Sequence, residues 1–154
     1  MLIKGVIHED FVNYQKPCMT IMFPICNGFK CGGDLCQNSS LATSPSISVP
    51  TNKIVEAYIR NDMTSAICCQ GLEPMDSFGH LLKLVRLLRE QTDDDIVIYT
   101  GYTKEEVEKE VEELKQYKNI IVKFGRFIPN QQPHYDAVLG VNLASDNQYA
   151  EKIS

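Results

Sequence analysis

Apolar residues in this chain fall into two alternating patterns, short continuous runs and longer stretches of helical spacing. Met19-Thr20-Ile21-Met22-Phe23, bounded by Pro17 and Pro24, reads as a buried strand. Ser65-Ala66-Ile67-Cys68-Cys69, Asp95-Ile96-Val97-Ile98-Tyr99 and Asn119-Ile120-Ile121-Val122-Lys123 read as three more. Between them, Ile54, Val55 and Tyr58 behind a Thr51 cap predict a helix to about Arg60. A stronger helix opens at Asp76 or Ser77, with Phe78, Leu81, Leu82, Val85 and Leu88 on one stripe and Lys83, Arg86, Arg89 and Glu90 mostly off it. Thr103 with Glu106 forms a capping box, and that helix is expected to run to about Tyr117. Beyond the fourth strand, Asn, Gln and Pro predict irregular chain with a short final element.

Strands alternating with helices predict an α/β fold, a mainly parallel sheet joined by right-handed crossovers. With 154 residues, 44% of them hydrophobic, residues 1–154 are expected to form a single domain. At that length the sheet would form a partial, open TIM-like barrel. Loops after the carboxyl ends of parallel strands share one rim, where ligands bind. Here they are the cysteine-rich loop after Phe23, Gln70 to Pro74, Thr100 to Tyr102, and Phe124-Gly125-Arg126. The Ser, Thr and Pro-rich stretch from Gln37 to Pro50 reads as an exposed connection.

A net charge of −5 and a pI near 5.2 argue against a nucleic-acid or anionic-membrane partner, which would need a dense basic face. No apolar run approaches the roughly 20 residues of a membrane span, and Met1-Leu2-Ile3-Lys4-Gly5 lacks a secretory apolar core. The expectation is a cytoplasmic protein. In a reducing compartment its six cysteines point to metal ligation or redox chemistry rather than disulfides.

Cys26, Cys31 and Cys36 lie in one short loop with Gly28, Gly32 and Gly33, which let the chain fold back so that three sulfurs converge. Thiolates suit zinc or iron–sulfur clusters, and four protein ligands are usual for either. Three ligands on a cubane leave one iron open to a substrate or cofactor. The competing arrangement is a zinc knuckle completed by Cys18 or a histidine. Cys18, however, precedes a strand of five residues, and at roughly 3.3 Å per residue it falls at the far end from the loop. Cys68 and Cys69, adjacent on a strand, point to opposite faces and read as buried. His8, His80 and His134 are scattered, with no ligand spacing to one another or to a cysteine.

Several short segments in shared order resemble the radical S-adenosylmethionine enzymes, in particular the family of activating proteins of anaerobic ribonucleotide reductase. They are Asp10-Phe11-Val12-Asn13, Cys36-Gln37-Asn38, Gly71-Leu72-Glu73-Pro74, Tyr99-Thr100-Gly101-Tyr102, Gly125-Arg126-Phe127 and Ser145-Asp146-Asn147-Gln148. The chain departs from that family in spacing its cysteines C-x4-C-x4-C rather than C-x3-C-x2-C. Leu35 stands where an aromatic residue usually precedes the third cysteine, Leu72 replaces a glycine, and Phe124 replaces an acidic residue. The resemblance implies a [4Fe-4S] cluster on Cys26, Cys31 and Cys36, with S-adenosyl-L-methionine on its open iron. It further implies that Gly71, Leu72 and Glu73 meet the cofactor's amino group, Thr100 its sugar or carboxylate region, and Arg126 its carboxylate, while Asn147 and Gln148 close the adenine side. The implied activity is reductive cleavage to a 5′-deoxyadenosyl radical that installs a glycyl radical on a partner enzyme, with flavodoxin or ferredoxin as electron donor. Two rival readings are a non-catalytic zinc or iron–sulfur binding or electron-transfer module, and a degenerate family member.

Overall fold

All four predicted strands form and lie side by side in the order of the sequence. A computed structural model describes residues 1–27 and 36–154. Its strands are β1 (Leu2–Ile3), β2 (Gly5–Asp10), β3 (Cys18–Phe23), β4 (Ile47–Ser48), β5 (Ala66–Gly71), β6 (Asp95–Tyr99), β7 (Ile120–Phe124), β8 (His134–Asp136), β9 (Val141–Leu143) and β10 (Tyr149–Lys152). The helices are α1 (Ser39–Thr43), α2 (Thr51–Ile59), α3 (Phe78–Arg89) and α4 (Glu108–Leu114), with 3-10 turns at Pro74–Ser77 and Glu105–Val107. The main sheet has six strands in the order β10-β7-β6-β5-β3-β2. Its four central strands are parallel, and the edge strands β2 and β10 run antiparallel to them.

Strand alternation divides the sheet into two faces. On one, Met19, Ile21 and Phe23 of β3, Ile67 and Cys69 of β5, Ile96 and Ile98 of β6, and Ile120, Val122 and Phe124 of β7 form one apolar cluster with residues of all three longer helices. Cys18, Ala66, Cys68, Val97 and Ile121 point the other way and pack against Tyr14, Leu139, Leu143 and Ala150. That the helices share one face follows from strand order. A chain that always steps the same way across the sheet through crossovers of one hand places every crossover on one side. The sheet ends in two separate edges, so the described residues form an open mixed α/β sheet rather than a closed barrel. Among them no helix is long and apolar enough to cross a membrane.

Several local expectations change. The buried stripe of α3 is Leu81, Leu84, Val85 and Leu88, whereas Leu82 is only half-buried, on the flank of that stripe. The capping box forms, Thr103 N donating to Glu106 Oε2 at 2.8 Å, but a 3-10 turn precedes a short α4 that ends at Leu114. The region expected to be irregular contains the β8–β9 hairpin and β10. There, Asp136 accepts backbone hydrogen bonds from Val138, Leu139 and Ala150 at 2.9 to 3.0 Å, tying the hairpin to β10.

Two positions, Asp10 and Gly71, fix the frame around the site. Asp10, buried at the end of β2, accepts from Val12 N at 2.9 Å, Asn13 N at 3.3 Å, Asn13 Nδ2 at 2.6 Å and Thr20 Oγ1 at 2.5 Å. This turn explains the Asp10-Phe11-Val12-Asn13 segment. Burial alone would raise the Asp10 carboxyl, but those donors hold it below its ordinary value. Gly71 ends β5 at φ +105°, where an added Cβ would lie 2.8 Å from Phe23 N and 2.9 Å from Met22 Cα.

Gly71→Ala is therefore expected to cost about 2 to 3 kcal/mol of stability, through backbone strain and a backbone clash, as measured by urea denaturation. For Asp10 the folded pKa lies below the unfolded one, so its stabilisation is present above about pH 4 and lost as pH falls through the folded value. Asp10→Asn should lower stability at neutral pH and flatten that acid limb in pH-dependent melts.

Candidate metal centre and cofactor cleft

The loops beyond the carboxyl ends of β3, β5, β6 and β7 converge on a cleft of about 690 Å³. Cys26 and Cys36 line it, together with Gly71, Leu72, Glu73, Thr100, Lys123 and Gln148. Cys31 lies outside the described residues. The expected rim is thus brought together from loops far apart in sequence by the parallel register, in which Phe23 stands opposite Gly71 and Cys69 opposite Ile98.

Both described ends of the cysteine loop are tethered. Asn27 N donates to Asp76 Oδ2 at 2.5 Å, and the other oxygen of Asp76 accepts from Tyr102 OH at 2.7 Å. On the far side, Asn38 Nδ2 donates to Gly71 O at 2.8 Å, while Asn38 N approaches Cys36 Sγ at 3.4 Å. Amide donation to a cysteine sulfur is one of the means by which proteins tune iron–sulfur clusters. Two half-buried thiols on one cleft, one of them accepting an amide hydrogen bond, are a donor set that fits such a cluster.

The other described cysteines are separated from it. Cys18 is fully buried at the start of β3, the opposite end from Cys26, with its sulfur 3.6 Å from Asp10 O. Cys68 and Cys69 are also fully buried, on opposite faces of the sheet, and burial pushes both thiols up.

Glu73 is the buried acid of the site, 2% exposed. Its Oε1 accepts from Thr100 Oγ1 at 2.8 Å and from Met75 N at 3.1 Å, and its Oε2 accepts from Gly101 N at 2.8 Å. Burial pushes its carboxyl up, with these neutral donors opposing. Thr100 Oγ1 also accepts from Tyr102 N at 3.1 Å, so the loops after β5 and β6 form one hydrogen-bonded unit. On the other flank, Gln148 Oε1 accepts from Ala144 N and Ser145 N, both at 3.1 Å, and its Nε2 donates to Gly125 O at 3.3 Å.

Arg126, Asn147 and Phe124 are placed differently from the sequence expectation. Arg126 Nη2 donates to Glu106 Oε1 at 2.5 Å on an exposed surface, because the capping carboxylate of α4 has a second oxygen that faces it. Asn147 Nδ2 donates to Arg126 O at 2.8 Å, holding the turn after β7. Neither lines the cleft. Phe124 is buried on the helix side, its ring 5.5 Å from that of Tyr149, so it occupies no position on the cleft wall.

Three contributors were not singled out from sequence. Asp76 reads there only as a helix opener, Asn38 only as part of a short match, and Lys123 only as the end of a strand. Lys123 had a signal, since a lone lysine in Ile120-Ile121-Val122-Lys123-Phe124 is unusual within a buried parallel strand.

A family model described as a 4Fe-4S single cluster domain matches residues 19–148. No curated protein and no solved structure matches the chain.

Asp76→Ala removes the acceptor that joins Asn27 to Tyr102 and should leave the sheet intact. The reconstituted protein is expected to hold iron on the order of tenfold less tightly, as measured by iron loss to a chelator.

Proposed function

Because this chain belongs to the family described as a 4Fe-4S single cluster domain, we propose that Cys26, Cys31 and Cys36 hold its cluster and leave one iron open to S-adenosyl-L-methionine. The observation that carries this reading is the shared cleft. Cys26 and Cys36 open onto the same space as Gly71, Leu72, Glu73, Thr100 and Gln148 at the carboxyl ends of parallel strands. When bound, the cluster supplies one electron, which breaks a carbon–sulfur bond of the sulfonium to give methionine and a 5′-deoxyadenosyl radical.

The chain's own part is positioning. Glu73 and the backbone at Gly71 and Leu72 offer partners to the cofactor's amino group, and Thr100 and Gln148 frame the nucleoside. Helices on one face and an open-edged sheet suit a partial TIM-like barrel whose unclosed side receives a protein loop. The substrate is accordingly a glycyl radical enzyme. The open rim would present the partner's glycine to the bound group, and flavodoxin or ferredoxin would supply the electron.

Anaerobically reconstituted protein, reduced with dithionite, should show an altered electron-resonance spectrum on adding S-adenosylmethionine and release methionine and 5′-deoxyadenosine in equal amounts. Cys26→Ala, Cys31→Ala and Cys36→Ala should each abolish cleavage, whereas Cys18→Ala should keep the cluster. A fully loaded cluster with neither spectral change nor cleavage would overturn the reading.

A further inference from the structure

The outer face of α3 carries charge of one sign. Its buried stripe is Leu81, Leu84, Val85 and Leu88, and on the opposite side Gly79, His80, Lys83 and Arg86 recur at helical spacing, all exposed. No carboxylate among the described residues pairs with Lys83 or Arg86. The acid on that side is Glu90, just past the far end of the helix. This cationic stripe stands on a chain whose 20 acidic residues outnumber its 15 lysines and arginines.

Gly79 lies within the stripe. Glycine inside a helix is less favourable than alanine, and a Cβ there would meet nothing within 4 Å, so no internal packing requires its absence. What glycine leaves is a gap in the side-chain cover, where the surface of another molecule can come close to the helix backbone.

Position selects the occupant. α3 follows directly on the Pro74–Ser77 turn, whose Asp76 accepts from Asn27 N, the neighbour of Cys26. At 1.5 Å per residue, Gly79 lies roughly 5 Å and Lys83 about 10 Å along the axis from Asp76. The cleft, by contrast, is walled on the other face of the sheet by Val141 and Leu143. A protein seated on α3 therefore nears the cysteine loop without covering that wall.

We propose that the face of α3 from Gly79 to Arg86 docks an acidic electron-carrier protein, which reaches the centre from the helix side while the substrate uses the cleft. The carrier loses one electron and the cluster gains it, with no bond made or broken. This docking role rests on the reading of the cysteine loop as a reducible cluster fed by a carrier. Opposite charges on the two surfaces would steer the encounter, and salt would screen it.

The test uses the cluster-loaded full chain under anaerobic conditions, with a flavodoxin and a ferredoxin as probes. Binding is read by titration calorimetry at low and high salt, and cluster reduction is timed with the reduced carrier and with dithionite. Lys83→Glu with Arg86→Glu is expected to weaken carrier binding about tenfold or more at low salt, and to slow reduction by the carrier while reduction by dithionite stays within about twofold. Lys109→Glu with Lys118→Glu makes the same charge change at exposed positions off this face and should leave binding within about twofold. Gly79→Leu fills open space, so it should melt no lower than the parent yet weaken carrier binding. Failure of the parent to bind either carrier would overturn the inference, as would equal weakening in the two charge-reversed proteins or unchanged binding in Gly79→Leu. A loaded cluster that dithionite cannot reduce would instead overturn the functional reading, and the separate binding measurement keeps the two failures apart.

Discussion

The parallel pairing of β3, β5, β6 and β7 in unbroken sequence order is the constraint on which the rest of the structure depends. Stepping in one direction across the sheet commits the crossovers to one face, where α2, α3 and α4 pack. It also sends four consecutive strand-end loops to the same rim. The close approach of Gly71 to Met22 and Phe23 holds the first of these pairings at its tightest point, where the cysteine loop departs.

Around that rim polar contacts run between loops more than within them. Asp76 joins the cysteine loop to the loop after β6, Asn38 joins it to the end of β5, and Glu73 binds the β5 and β6 loops to each other. The surroundings of a metal centre are thereby fixed by groups that do not ligate it. Glu73, nearly excluded from water, is held by two backbone amides and the Thr100 hydroxyl, neutral donors that orient its carboxyl group.

Much of this was legible in the sequence because it depends on local patterns. The four parallel strands, the helix starting at Thr51 and the Thr103 capping box follow from runs and spacing, although Thr51 is itself the first helical residue behind Pro50 and makes no side-chain cap; the convergence of Cys26, Cys36, Glu73 and Thr100 follows from the rule that strand-end loops share a rim. What escaped depends on pairing between distant segments. The strands β2 and β10 are short edge elements of mixed composition whose identity comes from their partners. Arg126 looked suited to a carboxylate because its chemistry is, but the second oxygen of a capping glutamate twenty residues earlier claims it, and nothing in the Gly-Arg-Phe string reports that. Lys123 was hidden by the opposite effect, a charge within an apolar strand whose facing side only the sheet reveals.

The burial of Cys68 and Cys69 has a consequence for how the centre is filled. Two thiols held protonated inside the sheet are both out of reach and in the wrong protonation state to capture iron. Cys18 is equally closed off, leaving Cys26 and Cys36 as the described sulfurs with access from outside the core. The fold thus discriminates among chemically identical side chains during maturation. Once the sheet has formed, the core masks Cys18, Cys68 and Cys69 from solutes that Cys26 and Cys36 can meet.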